Sequence, residues 1–297
     1  MGKSVVVTGA TSGIGLATAV GLAEAGYEVI GTARTDATAE RLHDAARTAG
    51  VKVRHVCCDV ADATSTVRAF TEIAMMTGGG PWAVVNNAGF AQPGAIEDVT
   101  DEAARAQLEV NLIAPARIAR LVLPAMRQRR DGRIVNISSV SGRVTLPFVG
   151  WYAASKHALE AVTDALRIEL ARFGVRVVLI EPGSYGTSIW QRGLELLPDR
   201  SGSAYKQSYD LASQVMARAG QLAPPDPVVR AVRKALSAHR PKDRYLVGLD
   251  ALSATAMDTL LPTRLGDYAK GAAVGLRQPP ALLVPILSRL TRRRTSR

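Results

Sequence analysis

Residues 4–15 read Ser-Val-Val-Val-Thr-Gly-Ala-Thr-Ser-Gly-Ile-Gly, an apolar β-branched run that leads into a glycine-rich turn. The run Ser4–Thr8 predicts a short buried strand, and the following stretch, Ile14–Ala25, has the composition of a helix. Glycines between a strand and a helix permit a tight turn and let a phosphate approach the amides at the helix N-terminus. Gly9, Gly13 and Gly15 therefore predict a dinucleotide site, with a bare turn of the same composition as the alternative.

Strand-like and helix-like stretches alternate along the rest of the chain. The further predicted strands are Tyr27–Ala33, Val51–Cys58, Trp82–Asn86, Arg133–Ser138, Val175–Glu181 and a weaker Arg244–Val247. Helical stretches such as Ala37–Ala49 and Asp101–Arg129 lie between them. Continuously apolar strands suit a parallel sheet that is buried on both faces. The sequence therefore predicts an α/β fold of the Rossmann type, with a doubly wound, mostly parallel sheet and helices on both faces.

The predicted domain organisation is one catalytic domain over residues 1–262 and a basic extension over residues 263–297. Residues 184–223 interrupt the alternation after the last long strand. They are therefore expected to emerge at the carboxyl edge of the sheet as a substrate-binding insertion.

The charge of the chain is concentrated in its last 35 residues. The formal net charge is +11, and residues 263–297 carry eight basic side chains and one acidic side chain, or +7. This distribution argues against a nucleic-acid interface, which needs basic residues on an ordered face with interleaved aromatic residues. The basic extension predicts either peripheral contact with a membrane or packing on the body or a partner subunit. The chain is otherwise expected to be cytoplasmic.

The cysteines and histidines give no pattern of metal ligands. Cys57 and Cys58 are adjacent in a strand-like run, which favours buried thiols over a disulfide. The four histidines lack the spacing of a ligand set, so no metal site is predicted.

The end of the second strand decides the predicted cofactor. Strands that bind NAD usually end in Asp or Glu, which accepts hydrogen bonds from the ribose, whereas this strand ends Thr32-Ala33-Arg34. A guanidinium group matches a phosphate with forked donors. We therefore predict that Arg34 binds the 2′-phosphate and that NADP(H) is preferred over NAD(H). The alternatives are a solvated arginine and a ribose contact from Asp36.

Three side chains predict the chemistry. Ser139 follows the fifth strand, and Tyr152 and Lys156 lie four residues apart, so that they share one face of a helix. Reduction of a ketone requires a proton donor, and a nearby lysine cation would lower the pKa of a tyrosine for that role. Ser139 would then hydrogen-bond the substrate oxygen. Alone, the tyrosine and lysine could belong to an ordinary helix surface.

Further motifs follow in order: Asp59-Val60, Asn86-Asn87-Ala88-Gly89, Asn111, and Glu181-Pro182-Gly183 with Thr187. Together with the glycine turn and the catalytic three, they resemble the short-chain dehydrogenase/reductase family from about Lys3 to Val247. The resemblance implies an oxidoreductase that transfers a hydride between NADP(H) and a carbonyl or alcohol. It adds Asn111 as a catalytic residue that holds a water in the proton relay. The predicted cofactor contacts are Gly9, Thr11, Ser12, Gly13, Ile14, Gly15, Arg34, Asp59, Val60, Asn86, Ala88, Gly89, Tyr152, Lys156, Pro182, Gly183 and Thr187.

The substrate pocket is expected between residues 141–151 and the insertion over residues 184–223. Both segments are rich in apolar and aromatic side chains, which favours a hydrophobic alcohol or ketone, such as a lipid-, steroid- or retinoid-like molecule. The predicted substrate contacts are Ser139, Phe148, Tyr152, Tyr185 and Trp190. The resemblance also suggests a homo-oligomer. The competing function is a catalytically silent NADP(H)-binding sensor or scaffold, which would be expected to lack one of the catalytic three.

Overall fold

The computed structural model describes residues 2–198, 202–218 and 222–277. Its centre is a seven-stranded sheet in the order β3-β2-β1-β4-β5-β6-β7, and every neighbouring pair is parallel. The strands are β1 Ser4–Val7, β2 Glu28–Ala33, β3 Arg54–Cys57, β4 Ala83–Asn86, β5 Gly132–Ile137, β6 Val175–Pro182 and β7 Arg244–Val247. The order reverses direction at β1, so a crevice opens beyond the carboxyl ends of β1 and β4. The Rossmann-type prediction is confirmed.

Helices connect the strands and cover both faces of the sheet. They are α1 Gly13–Glu24, α2 Asp36–Thr48, α3 Ala63–Met76, α4 Asp101–Leu108, α5 Ala114–Arg129, α6 Gly150–Glu169, α7 Ile189–Glu195, α8 Lys206–Arg218, α9 Asp226–Ser237, α10 Leu249–Leu260 and α11 Thr263–Ala273. A π-helical turn, Glu109–Ile113, joins α4 to α5. The stretch predicted as one helix is therefore helical throughout but changes its hydrogen-bond pattern around Asn111.

The core consists of two apolar layers, one on each face of the sheet. Successive side chains of a strand point to opposite faces. Val5 and Val7 accordingly pack in one layer with residues of α1 and α9, such as Leu22 and Val232. Val6 packs in the other layer, with residues of α3 and α5. This alternation explains why β1 is apolar from Val5 to Val7 and buried at every position.

The segment after β6 is mostly helical within its described part. Helices α7 and α8 form much of residues 184–223, and α10 and α11 follow β7. No helix in the described ranges is long and apolar enough to cross a membrane. Leu249, Leu252 and Leu260 are exposed on α10. Residues 278–297 lie outside the described part of the chain, so membrane contact through the basic extension stays a prediction, as does the homo-oligomer.

A buried network of charges ties β6 and β7 to α6. The Glu181 carboxylate is fully buried, and it accepts hydrogen bonds from Arg143 at 3.1 Å and from Arg244 at 2.8 Å. Arg244 also pairs with Glu160 and Asp164 of α6. Breaking a buried pair leaves an uncompensated charge in the interior, which is costly. Arg244 therefore holds the edge strand β7 against the helix that carries Tyr152 and Lys156.

We expect Arg244→Met to lower the free energy of unfolding by about 3–5 kcal/mol, because Glu160 and Glu181 lose their shared partner. Urea denaturation followed by circular dichroism measures this loss. The matched control is Arg167→Met, because Arg167 pairs with Asp164 and Asp243 and is about one third exposed. Its loss should be about 1 kcal/mol or less. Equal losses in the two variants would contradict a structural role for the buried network.

Candidate active site

The glycine turn between β1 and α1 leaves backbone amides uncovered at the helix N-terminus. Gly9 and Gly13 have φ angles of 64° and 52°, in the left-handed region that favours glycine. A Cβ atom at Gly15 would lie 2.3 Å from the carbonyl oxygen of Gly9, so only glycine fits there. Ser12, at the N-cap position, makes no capping hydrogen bond through its side chain. The amides of the first turn of α1 can therefore bind an anion.

The loops after β1 and β4 are tied together beside this turn. The Thr8 hydroxyl oxygen accepts hydrogen bonds from the amides of Asn87 and Ala88, both at 2.9 Å. The Asn87 side chain donates to the Thr8 carbonyl oxygen at 2.9 Å. A Cβ at Gly9 would lie 3.0 Å from Ala88, and one at Gly13 would lie 3.2 Å from Thr187. The predicted cofactor residues of three loops thus meet along one crevice.

The remaining predicted cofactor residues lie at the same edge of the sheet. Asp59 and Val60 follow β3, Asn86 ends β4, and Pro182 ends β6. The Asn86 side chain donates to Asn136 at 2.8 Å, and its own oxygen has no hydrogen-bond partner among the described residues. A Cβ at Gly89 would lie 3.0 Å from Asn111 Oδ1. The unpartnered amide oxygen of Asn86 and the bare backbone at Gly89 fit a dinucleotide bound along this edge.

Arg34 and Asp36 differ in their surroundings. Arg34 is exposed just beyond β2, and it makes no hydrogen bond or ion pair within the described part of the chain. Asp36 Oδ1 lies 2.9 Å from His55 Nε2 and 3.3 Å from Cys57 Sγ. Hydrogen bonds from His55 and then Cys57 lower the pKa of the Asp36 carboxyl. The guanidinium group is thus available to a ligand, whereas the nearby carboxylate already has partners.

Ser139, Tyr152 and Lys156 converge at the end of β5. Ser139 lies two residues beyond the strand, and its hydroxyl is near enough to the buried phenol of Tyr152 to lower the pKa of that phenol. Lys156 is buried one turn further along α6, and its Nζ donates to the Ile137 carbonyl oxygen at 2.8 Å. The Lys156 Nζ lies 5.8 Å from the centroid of the Tyr152 ring. The structure therefore brings the three predicted catalytic side chains together.

The pKa values of this group are governed by burial. Burial raises the pKa of the Tyr152 phenol, and the hydrogen bond with Ser139 opposes the shift. Burial lowers the pKa of Lys156 to about 8, against the field of Glu160, which raises it. The sequence predicts that Lys156 lowers the pKa of Tyr152; the net shift of the phenol is upward, with burial as its largest cause, and the effect of the lysine itself stays a prediction. The physical reason for the upward shift is that the phenol lies in apolar surroundings, while the ammonium points to a strand carbonyl.

Asn111 lies in the π-helical turn and is bonded to the loop after β4 and to α6. Its Nδ2 donates to the Phe90 carbonyl oxygen at 3.0 Å and to Ser155 Oγ at 3.1 Å. Ser155 in turn donates to the carbonyl oxygen of Tyr152 at 2.7 Å. Asn111 thus holds the turn of α6 that carries the phenol, and π-helical turns of this kind occur often at functional sites.

The five predicted substrate contacts separate into two groups. Trp190 packs edge-to-face on Tyr152, with ring centroids 6.3 Å apart, so it lies beside Ser139 and Tyr152. Phe148 instead packs on the rings of Tyr205 and Tyr209. Tyr185 belongs to the core layer between the sheet and α1 and α9. Phe148 and Tyr185 therefore have packing partners of their own, in clusters separate from that of Tyr152.

Three residues that the sequence motifs do not single out also line the Tyr152 phenol. They are Ala91, Val149 and Ala212, which form one apolar cluster with Tyr152. Ile189, Trp190 and Leu194 of α7 pack against the same cluster. Val149 is the residue just before α6 and lies three residues before Tyr152, and this spacing predicts that the two side chains lie on the same side of the helix. No local pattern marks Ala91 or Ala212, because tertiary packing brings them there.

The comparisons with known proteins agree with this geometry. The family model described as "short chain dehydrogenase" matches residues 3–195. An uncharacterized oxidoreductase of Bacillus subtilis is 40% identical over 217 residues, covering 70% of this chain and 74% of that protein. Retinol dehydrogenase 7 of Rattus norvegicus is 33% identical over 282 residues, covering 89% of this chain and 86% of that protein.

A solved structure extends the likeness to three dimensions. The crystal structure of a tryptophan variant of the actinorhodin polyketide ketoreductase with NADPH has a TM-score of 0.72 and 30% sequence identity to this chain. The match covers 84% of this chain and 97% of the ketoreductase. The glycine crevice, the sheet and the matched sequence together show that the chain is an oxidoreductase of the short-chain dehydrogenase/reductase family, whose members bind nicotinamide cofactors.

Proposed function

We propose that this protein transfers a hydride between NADP(H) and the carbonyl or hydroxyl carbon of an apolar substrate. The observation that carries the proposal is the arrangement at the end of β5. The buried phenol of Tyr152 lies beside Ser139, and the buried ammonium of Lys156 lies one helical turn away, 5.8 Å from the centre of the phenol ring. This group lies at the edge of the sheet where the glycine crevice opens.

Each catalytic side chain has a separate task in this proposal. Tyr152 donates a proton from its hydroxyl to the substrate oxygen during reduction and accepts one during oxidation. Ser139 donates a hydrogen bond to the same oxygen and fixes its position. Lys156 places a positive charge below the phenol and favours its ionised form, and Asn111 positions this part of α6. Bound in the crevice, the nicotinamide would supply or accept the hydride.

The proposed cofactor contacts follow the crevice from one end to the other. The amides of Gly13, Ile14 and Gly15 bind the pyrophosphate at the N-terminus of α1. Asp59 and Val60 would hold the adenine, and Asn86, Ala88 and Gly89 would hold the ribose. Pro182, Gly183 and Thr187 lie against the nicotinamide end. The proximity of Thr187 to Gly13 supports this order.

We expect Tyr152→Phe to lower kcat for NADPH-dependent ketone reduction by about 10²- to 10⁴-fold, because the proton donor is lost. NADPH binding, measured by fluorescence titration, should be nearly unchanged. Tyr27→Phe is the matched control, because the Tyr27 ring stacks on Trp82 at the amino ends of β2 and β4, whereas the proposed site lies at the carboxyl ends. Ketone reduction at the wild-type rate by Tyr152→Phe would contradict the proposal and favour a binding protein without this chemistry.

The proposed preference for NADP(H) rests on Arg34 and Asp36, which lie just beyond the end of β2. The guanidinium of Arg34 is exposed without an ion-pair partner in the described ranges, while Asp36 is hydrogen-bonded to His55 and Cys57. A 2′-phosphate would complement that positive charge, and a ribose hydroxyl would find no carboxylate at the end of β2. The similar ketoreductase was solved with NADPH, which supports the same choice.

Arg34→Ala should lower kcat/KM for NADPH about 10- to 100-fold, since a charge-assisted hydrogen bond contributes roughly 1.5–3 kcal/mol. The value for NADH should change by less than about twofold. Steady-state kinetics with both cofactors measure the two effects, and Arg41→Ala, an exposed change on α2, is the control. A wild-type enzyme that uses NADH as well as NADPH would refute the preference.

The proposed substrate is apolar because the surroundings of the phenol are apolar. Val149, Ile189, Trp190 and Leu194 pack around Tyr152, and none of these side chains carries a charge. Hydrophobic walls with a few polar groups at the reacting atom are typical of sites for hydrophobic ligands. The similar retinol dehydrogenase is named for an apolar alcohol.

Trp190→Ala provides the test of the substrate class. We expect kcat/KM for a long-chain ketone to fall about tenfold or more. The reason is that contact with the indole buries apolar surface of the substrate, which contributes roughly 1.5–3 kcal/mol to binding. A three-carbon ketone that does not reach the indole should be reduced at the wild-type rate. Efficient turnover of small charged sugars, with poor turnover of apolar ketones, would overturn the proposed class.

A further inference from the structure

A cluster of nitrogen, oxygen and sulfur donors lies at the edge of the sheet formed by β3. His55 and Cys57 are two residues apart on β3, so both side chains point to the same face, while Val56 points into the core. Asp36 begins α2, and its carboxylate contacts both of these side chains. The fold therefore brings an imidazole, a thiol and a carboxylate together from two separate elements.

The donor atoms are spaced as the ligands of one ion would be. Asp36 Oδ1 lies 2.9 Å from His55 Nε2 and 3.3 Å from Cys57 Sγ, and the three atoms all lie within 4.8 Å of one another. Ligand bonds of about 2.0–2.3 Å at tetrahedral angles place donor atoms roughly 3.3–3.7 Å apart. Small movements of exposed side chains would therefore complete the geometry.

We propose that Asp36, His55 and Cys57 form a zinc-binding site that fastens the edge strand β3 to α2. Imidazole and thiolate ligands favour Zn²⁺ over Mg²⁺ or Ca²⁺, which prefer oxygen. Binding replaces the Cys57 proton, now donated to Asp36, by a sulfur–zinc bond, and the proton leaves to water. Water completes the coordination, because the Asp36 side chain is 87% exposed.

A second histidine is in place to orient the first. His55 Nδ1 lies 3.1 Å from His43 Nε2, and the two rings meet edge to face. A histidine that binds metal through one ring nitrogen usually donates a hydrogen bond from the other. Metal binding at His55 Nε2 requires the tautomer in which Nδ1 carries the proton and donates it to His43, and the Nε2 lone pair then replaces the hydrogen bond to Asp36. Without an ion, an exposed aspartate–histidine pair would contribute little to stability.

The decisive experiment uses cobalt as a spectroscopic probe of the purified full chain without an affinity tag. A thiolate ligand gives Co²⁺ a charge-transfer band in the near ultraviolet, and tetrahedral coordination gives strong visible bands. We expect both to saturate at one ion per chain and to disappear on addition of one equivalent of zinc. Zinc should also raise the melting temperature, since it binds the folded chain.

The adjacent cysteines provide a matched pair of variants. Cys57→Ser should abolish the charge-transfer band and weaken zinc binding at least about tenfold, whereas Cys58→Ser, at a buried thiol outside the cluster, should behave as the wild type. Asp36→Asn should weaken zinc binding by a similar factor. Absence of a thiolate band in the wild type, or its retention in Cys57→Ser, would overturn the proposal. Circular dichroism confirms that each variant is folded.

Discussion

The ammonium group of Lys156 is buried, and the carbonyl oxygen of Ile137 accepts its hydrogen bond at 2.8 Å. A buried cation is costly unless it is hydrogen-bonded and balanced by charge, so this contact constrains everything around it. It joins the middle of α6 to the end of β5, two residues before Ser139. Because Tyr152 lies one turn earlier on the same face of α6, the phenol is brought beside Ser139.

The balancing charge connects the site to the far edge of the sheet. Glu160 lies one turn beyond Lys156, and its field raises the pKa of the lysine against the effect of burial. Glu160 also pairs with Arg244, which pairs in turn with the fully buried Glu181 at the end of β6. The catalytic helix and the two last strands of the sheet therefore share one set of charges. We therefore expect a change at Arg244 to alter the pKa of Lys156 through Glu160, in addition to lowering the stability of the fold.

Sequence patterns predicted the parts of this molecule that depend on local rules. The parallel sheet follows from continuously apolar strands, and the turn at Gly9 and Gly13 follows from backbone angles that favour glycine. The position of Ser139 at the carboxyl edge of the sheet follows from its place after β5, and the pairing of Tyr152 with Lys156 follows from their four-residue spacing on one helix. The cluster of Asp36 with His55 and Cys57 was missed, although the alternation on β3 placed the histidine and the thiol on one face. The contribution of α2 is tertiary and leaves no local pattern.

The properties that could not be predicted depend on burial by distant residues. Spacing alone places a cation one turn from Tyr152, but it does not reveal that apolar side chains such as Val149 and Trp190 enclose the ring. Burial by these side chains raises the pKa of the phenol, and Ser139 opposes the shift. The same apolar wall that would suit a hydrophobic substrate thus favours the neutral phenol, which is the form that donates a proton to a carbonyl oxygen. Substrate class and proton donation are therefore coupled through one set of side chains, and a polar substitution in that wall should alter both.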